Sequence, residues 1–229
     1  MPLMRRQTSL LTAALAGAAL ALPAAASAEV MEIGKADPPA TASCPTRPCL
    51  AVSRTTGYQA KVGANRGLMT IPADGRIVAW TIGLGKPGKK QTAFFDSMLG
   101  GPASAQITVL NPRRKLRSRA VGQGELQKLA PYFGTTTQFP LKTTIPVKKG
   151  WVLALTVPTW APALAVGLGG DTSWRASRGK GKCDDTGTQT SQLGPNQLAQ
   201  YYCLYRTARL TYSATLVTDP VTPATTAGR

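Results

Sequence analysis

The chain has 229 residues, with 27 Lys and Arg against 10 Asp and Glu, a formal net charge of +17 and no histidine. The missing imidazole excludes catalytic and metal sites built on histidine. The strong positive charge favours anionic partners, although it does not decide which anion binds.

The first 28 residues have the features of a secretory signal peptide. Arg5 and Arg6 precede an apolar run over residues 10–22, and Ala26, Ser27 and Ala28 form a small-residue cleavage pattern. We predict cleavage after Ala28 and a secreted, extracellular product of 201 residues with a formal charge of +15. The apolar run is shorter than the roughly 20 residues of a spanning helix, so we predict no membrane span.

The composition then divides the chain. Residues 29–43 are rich in Pro and Ala and are predicted to be a flexible linker. Residues 44–218 are predicted to form one β-sandwich domain, and residues 219–229, rich in Pro and Thr, a disordered tail.

The mature sequence contains four cysteines: Cys44, Cys49, Cys183 and Cys203. An even number in an exported chain favours disulfides, and four thiols allow three connectivities. We predict the pairs Cys44–Cys49 and Cys183–Cys203 because the members of each pair are near in sequence. Zinc is disfavoured, because the chain has no histidine and no paired C-x-x-C spacing.

Apolar residues alternate with polar ones along several short segments. This period of two is typical of strands with one buried face, and the inward-facing sets are Val78, Trp80, Ile82 and Leu84; Ile107 and Val109; Trp151, Leu153, Leu155 and Val157; and Leu210, Tyr212, Ala214 and Leu216. Turn-forming residues separate the segments at 72–75, 85–90, 111–114 and 147–150. The pattern predicts an all-β fold, an antiparallel two-sheet sandwich of the jelly-roll type with little helix.

The progression "IPADGRIVAWTIGLG", "ASAQITVLNP" and "TTIPVKKGWVLALTVP" resembles the uncharacterised exported jelly-roll sandwich proteins of high-GC Gram-positive bacteria. The resemblance covers about residues 66–168, with a last strand at 208–218. It implies the fold but no activity and no catalytic residues. The segment 122–137 and the loop from Cys183 to Cys203 are longer than the pattern requires.

Five cations occupy seven consecutive positions: Arg113, Arg114, Lys115, Arg117 and Arg119. If the segment is a strand, residues 115, 117 and 119 share one face and residues 116, 118 and 120 the other. One interpretation is a solvated face that discourages strand addition by another chain. The other is an anion-binding surface, joined by Lys142, Lys148 and Lys149. Because no aromatic residue interrupts the block, we expect no specific nucleic-acid binding.

Aromatic residues in loop-like segments are candidates for stacking on sugar rings: Trp160, Trp174, Tyr201 and Tyr202. The alternative interpretation is that these rings pack over a sheet or against a disulfide, as most large rings do. Trp80 and Trp151 follow the strand period and are predicted to belong to the core.

Catalytic and metal-binding motifs are incomplete. "GLGKPGKK" at 83–90 lacks the Ser or Thr of a phosphate loop, and "SRGK" at 177–180 lacks the companion motifs of a serine–lysine nucleophile. Asp171, Asp184 and Asp185 offer few oxygens for calcium. We predict no catalytic residues, no metal and no cofactor.

These features predict an exported, non-catalytic binding or structural domain at the cell envelope, with an anionic polymer or a carbohydrate as its ligand. The alternative is a secreted hydrolase, acting for example on glycans, with its site in the 122–137 or 171–203 segment. The sequence does not predict the oligomeric state.

Overall fold

The computed structural model describes residues 27–185 and 191–220. Residues 1–26 of the predicted signal peptide and residues 221–229 of the predicted tail lie outside the described residues. Within the described ranges, no helix combines the length and the apolar character that a membrane span requires.

The described chain is built mainly of short strands. The first seven are β1 (Val30–Ile33), β2 (Val52–Lys61), β3 (Gly75–Gly83), β4 (Ser104–Pro112), β5 (Arg117–Gln123), β6 (Gln127–Lys128) and β7 (Thr136–Val147). The next seven are β8 (Val152–Ala161), β9 (Leu164–Val166), β10 (Ser173–Ala176), β11 (Leu198–Gln200), β12 (Cys203–Arg206), β13 (Ala208–Leu210) and β14 (Tyr212–Thr218). An α-helix, α1 (Lys89–Met98), follows β3, and a 3-10 helix (Ala130–Tyr132) precedes β7.

The strands form two main sheets. The smaller sheet has the order β1-β14-β3-β7, and the larger has the order β11-β5-β4-β8-β2-β10-β12, with β6 paired to β4. Strands β13 and β9 form a separate two-stranded sheet. All of these pairings are antiparallel. The predicted all-β sandwich is confirmed.

Most of the predicted inward-facing residues form the core between the sheets. Strand β3 differs, because a β-bulge between Ile77 and Ala79 changes the phase of the alternation. Ile77 is therefore fully buried with Trp80, whereas Val78 is only partly buried. Trp151 was predicted in the core; it lies just before β8 and is partly buried against it.

The prediction of a flexible linker over residues 29–43 is wrong for its first part. Strand β1 pairs with β14, placing Val30 opposite Val217 and Ile33 opposite Ala214, and the Ile33 side chain is 5% exposed. The Pro/Ala-rich composition of the surrounding residues hid this short strand. The final strand ends at Thr218, where the sequence analysis placed the end of the domain.

Residues 85–90, predicted to form only a turn, lead into α1. Gly88 is the N-cap, and the helix buries Phe95 against Trp160, with the ring centroids 4.8 Å apart. Asp96 of the same helix accepts a hydrogen bond from Trp160 Nε1 at 2.8 Å. The helix therefore covers the part of the core around Trp160.

Both predicted disulfides are confirmed. Cys44 is bonded to Cys49 and Cys183 to Cys203, with Cα atoms 4.4 Å and 5.2 Å apart. The second bond joins the segment after β10 to the start of β12. It therefore closes the long segment that was noted in the sequence as exceeding the jelly-roll pattern.

Candidate anion-binding site

The basic block lies on the hairpin that joins β4 to β5. Had the block run as one strand, residues 115, 117 and 119 would share a face, but residues 113–116 form the hairpin turn. Arg113 N donates to Arg117 O at 2.7 Å, and Lys115 and Leu116 reverse the chain with φ angles of 60° and 56°. Lys115 therefore does not share a strand face with Arg117 and Arg119, because the strand begins only at Arg117.

From Arg117 onward the predicted alternation is present. Ser118 and Ala120 are buried, Arg117 is exposed and Arg119 is partly exposed. In the turn, Arg113, Arg114 and Lys115 are exposed. The hairpin thus exposes four cations to solvent, and the fifth, Arg119, is partly exposed.

The chain after residue 195 fixes this turn in place. Tyr201 N donates to Leu116 O at 2.7 Å, and Gln200 Nε2 donates to Lys115 O at 3.4 Å. Arg119 Nη1 donates to Asn196 O at 2.6 Å. Backbone atoms of the turn are therefore held from a distant part of the sequence, which fixes the positions from which the cationic side chains extend.

Two further lysines lie at the same end of the sandwich as the basic hairpin. The register pairs Leu110 with Val152, so the turn after β4 and the turn before β8 project from the same end of the larger sheet. Lys148 and Lys149 lie in the second turn and are exposed, whereas Lys142, predicted to join them, lies farther back along β7. None of the seven cations of the two turns and β5 forms an ion pair within the described ranges.

The structure contradicts three of the four predicted sugar-stacking residues. Trp160 is fully buried beneath α1, Trp174 is 5% exposed within β10, and Tyr201 is fully buried on the outer face of the larger sheet. A sugar ring in solvent cannot stack on these rings. Trp160 and Trp174 lie in interior strands of the larger sheet, and Tyr201 packs on residues of other strands. The short local sequence did not reveal these contacts.

Tyr202 is the predicted stacking residue that remains accessible, with 39% of its surface exposed. The turn is close by, since the preceding residue donates its N–H to Leu116 O. Arg175 Nη1 donates to the carbonyl oxygens of Tyr201 and Tyr202 at 3.0 Å and 3.1 Å. We name the exposed set Arg113, Arg114, Lys115, Arg117, Arg119 and Tyr202 the basic hairpin surface.

A buried polar cluster adjoins this surface through Tyr201. Tyr201 Oη donates to Gln192 Oε1 at 2.6 Å, and Gln192 N donates to Thr56 Oγ1 at 3.1 Å. Burial raises the pKa of Tyr201 well above the ordinary tyrosine value, and nearby Tyr58 raises it further. Burial also raises the pKa of Tyr58, opposed by the charge of Arg175.

The serine of the incomplete motif "SRGK" has a structural role. Ser177 of "SRGK" is buried and shares a hydrogen bond with Thr55 Oγ1 at 3.2 Å, while its hydroxyl oxygen accepts the Thr56 N–H at 2.9 Å. Glu125, the acidic residue of the 122–137 segment, accepts the Lys142 N–H at 3.1 Å. In the part of the chain that the structure describes, no group of three or more His, Cys, Asp or Glu side chains is placed to hold a metal ion.

A second polar site, which no motif in the sequence marks, is a cavity that contains Arg209 and lies against the smaller sheet. From the sequence alone, an arginine directly before an alternating segment is expected to be exposed to solvent. No local pattern indicates that it is buried. The register across β14, β3 and β7 is what brings its polar neighbours together.

No protein-family model matches the chain, and neither a curated protein nor a solved structure resembles it significantly. Function is therefore inferred from the geometry of the described residues.

Proposed function

We propose that the protein is an exported, non-catalytic binding domain that holds an anionic polymer of the cell envelope on the basic hairpin surface. The observation that carries this proposal is the exposed cluster Arg113, Arg114, Lys115 and Arg117, whose turn is anchored by the chain around Tyr201. Cationic side chains that extend from a backbone held in this way can contact a polyanion with little loss of backbone freedom.

Export is supported by the signal-like N-terminus and by the two disulfides, which are typical of an oxidising compartment. N-terminal sequencing of the protein from culture medium should begin at Glu29. Retention of Met1 in the recovered protein would contradict the predicted cleavage.

A neutral-sugar platform is less well supported than polyanion binding. Such a platform requires accessible rings, and three of its four candidates are buried. Tyr202 is accessible, but it lies beside Arg175 and next to the cationic turn. In the proposed complex its ring packs against the uncharged part of the polymer while the cations contact the acidic groups.

Binding of the purified protein to polygalacturonate, with a neutral glucan as comparison, tests the proposal. Replacing Arg113, Arg114 and Arg117 with Ser should weaken binding about tenfold, because three exposed charge contacts contribute roughly 0.5 kcal/mol each. The polygalacturonate affinity of the unmodified protein should also fall steeply as salt is raised.

A matched control removes the same charge elsewhere. Lys86, Lys89 and Lys90 are exposed cations around the start of α1, and their replacement with Ser should leave most of the affinity intact. Equal losses in both triple variants would show that net charge, rather than this surface, governs binding. Absence of polygalacturonate binding by the unmodified protein at low salt would also overturn the proposal.

A further inference from the structure

A cavity of about 410 Å³ lies between the outer face of the smaller sheet and the segment at 34–40. Its size falls within the range of small-molecule binding sites. The lining includes polar residues from five different strands and the segment above them: Glu32, Lys35, Thr81, Gln138, Arg209 and Ser213.

Arg209 is the unusual member of this lining. Its side chain lines the cavity although the residue is only 7% exposed. The guanidinium has five N–H donors, yet within the described ranges it donates one hydrogen bond, to Gly34 O at 3.3 Å, and it forms no ion pair. Burial lowers its pKa. A buried cation with unused donors is stabilised by an anion that enters the cavity.

The floor of the cavity is a row of neutral polar side chains. The register places Thr81 of β3 directly opposite Ser213 of β14 on one side and Gln138 of β7 on the other. Thr81 and Ser213 face outward, because the residues on both sides of each are buried. Neighbouring strands lie about 4.8 Å apart, so the row offers hydrogen-bonding groups over about 10 Å.

Glu32 adds a negative charge to a lining that also contains the positive charges of Arg209 and Lys35. Its carboxylate accepts hydrogen bonds from Ser213 Oγ at 3.2 Å and from Thr215 Oγ1. An oxyanion is repelled by Glu32 and attracted by Arg209, whereas a hydroxyl group can donate to Glu32. A ligand that carries both an oxyanion and hydroxyl groups can therefore satisfy Arg209 and Glu32 together.

We propose that this cavity binds an acidic sugar, with its carboxylate or phosphate group on Arg209 and its hydroxyl groups on Thr81, Gln138, Ser213 and Glu32. The fork geometry of guanidinium suits both kinds of oxyanion. The site is independent of the basic hairpin surface. Thr81 lies six residues along β3 from Gly75, about 20 Å, and Gly75 pairs with Val147 beside the lysine turn.

Calorimetric titration of the purified protein with glucuronate, glucose 1-phosphate, glucose and inorganic phosphate tests the site. At least one of the two acidic sugars should bind, more than tenfold tighter than glucose and than inorganic phosphate, because only an acidic sugar engages both the arginine and the polar row. Which of the two binds identifies the oxyanion. If neither binds, or if glucose binds equally well, the proposal is wrong.

Variants locate the binding. Arg209→Gln should weaken it about tenfold to a hundredfold, as expected for loss of a charged hydrogen bond. Arg206→Gln removes the same charge from an exposed position nearby and should leave binding unchanged. An equal loss in both variants would overturn the assignment.

Arg209→Gln also loses the hydrogen bond to Gly34, so a folding defect could itself weaken binding. A second variant separates the two effects. Thr81→Val keeps Arg209 and the shape of the side chain, and it should weaken binding severalfold while the melting temperature stays near that of the unmodified protein. Unchanged affinity in Thr81→Val would contradict the polar row. The triple hairpin variant should bind the acidic sugar normally, so this result is separable from polymer binding.

Discussion

Trp174 lies against Tyr205, with the ring centroids 4.6 Å apart and the ring planes inclined by 27°. Gly57, on the neighbouring strand β2, makes room for the indole, since a Cβ there would approach the indole ring to 2.9 Å. The pairing of β10 with both β2 and β12 therefore encloses a ring that, from the sequence, was a candidate for stacking on sugars.

Trp174→Ala should accordingly destabilise the protein rather than remove a sugar contact. We expect the free energy of unfolding to fall by about 3–5 kcal/mol, as for other large-to-small changes at buried tryptophans. Chemical denaturation measures this loss. Tyr202→Ala, at an exposed ring, should change stability by no more than about 0.5 kcal/mol, and equal losses in the two variants would contradict the assigned burial.

The sequence alone was sufficient for the features that depend on local periodicity. Ile107 and Val109, and Leu153 and Leu155, are spaced by two and all face the core. The cysteine pairs are near in sequence, and proximity favoured their observed bonding. In both cases the deciding interaction lies within a short stretch of chain.

The misplaced features depend on contacts between distant residues. Trp160 is buried by Phe95 of a helix that begins in a predicted turn, and Tyr201 covers a sheet face that its own segment does not form. Arg209 lines the cavity only because the chain at 34–40 passes over the smaller sheet. Periodicity along one segment carries no information about which other segment will cover it.

The two disulfides should contribute unequally to stability. The Cys183–Cys203 bond spans 20 residues and the Cys44–Cys49 bond spans five. In the chain-entropy model, loss of the longer link costs about 3 kcal/mol and loss of the shorter link about 2 kcal/mol. Replacing both cysteines of one pair with Ala, and measuring the free energy of unfolding by denaturation without reductant, tests this order. A larger loss for the Cys44–Cys49 pair would contradict it.

Three buried threonines join adjacent strands of the larger sheet. Thr156 Oγ1 lies 2.7 Å from Thr56 Oγ1 and 2.6 Å from Thr108 Oγ1, and all three residues are fully buried. Thr156→Val should destabilise by about 1–3 kcal/mol, because it leaves the buried Thr108 hydroxyl without its partner. Thr108→Val should cost less, about 0.5–1.5 kcal/mol, because Thr156 Oγ1 keeps its contact with Thr56 Oγ1.

The double variant should lose less than the sum of the two single losses, because it removes both members of one hydrogen-bonded pair. A double-mutant cycle based on denaturation midpoints measures the difference. Thr143→Val, at an exposed position of β7, is the control and should change stability by no more than about 0.5 kcal/mol. Strict additivity would show that the two hydroxyl groups do not interact.

Two buried tyrosines should make the fold sensitive to alkali. Tyr212 Oη donates to Gly57 O at 3.2 Å and to Leu153 O at 3.1 Å. Burial raises the pKa of Tyr212 well above the ordinary tyrosine value, as it does for Tyr201. In the unfolded chain both phenols ionise near pH 10, whereas in the folded protein they keep their protons to higher pH.

The unfolded state therefore binds fewer protons than the folded state above about pH 10, and stability falls as pH rises. The stabilisation is fully present below that pH, and each tyrosine adds a slope of at most about 1.4 kcal/mol per pH unit. Tyr201→Phe should lower stability at neutral pH but make the decline between pH 9 and 11 shallower. Because lysine ionisation is common to both proteins, it cancels in this comparison, and an unchanged slope would show that Tyr201 ionises as readily in the folded protein as in the unfolded chain.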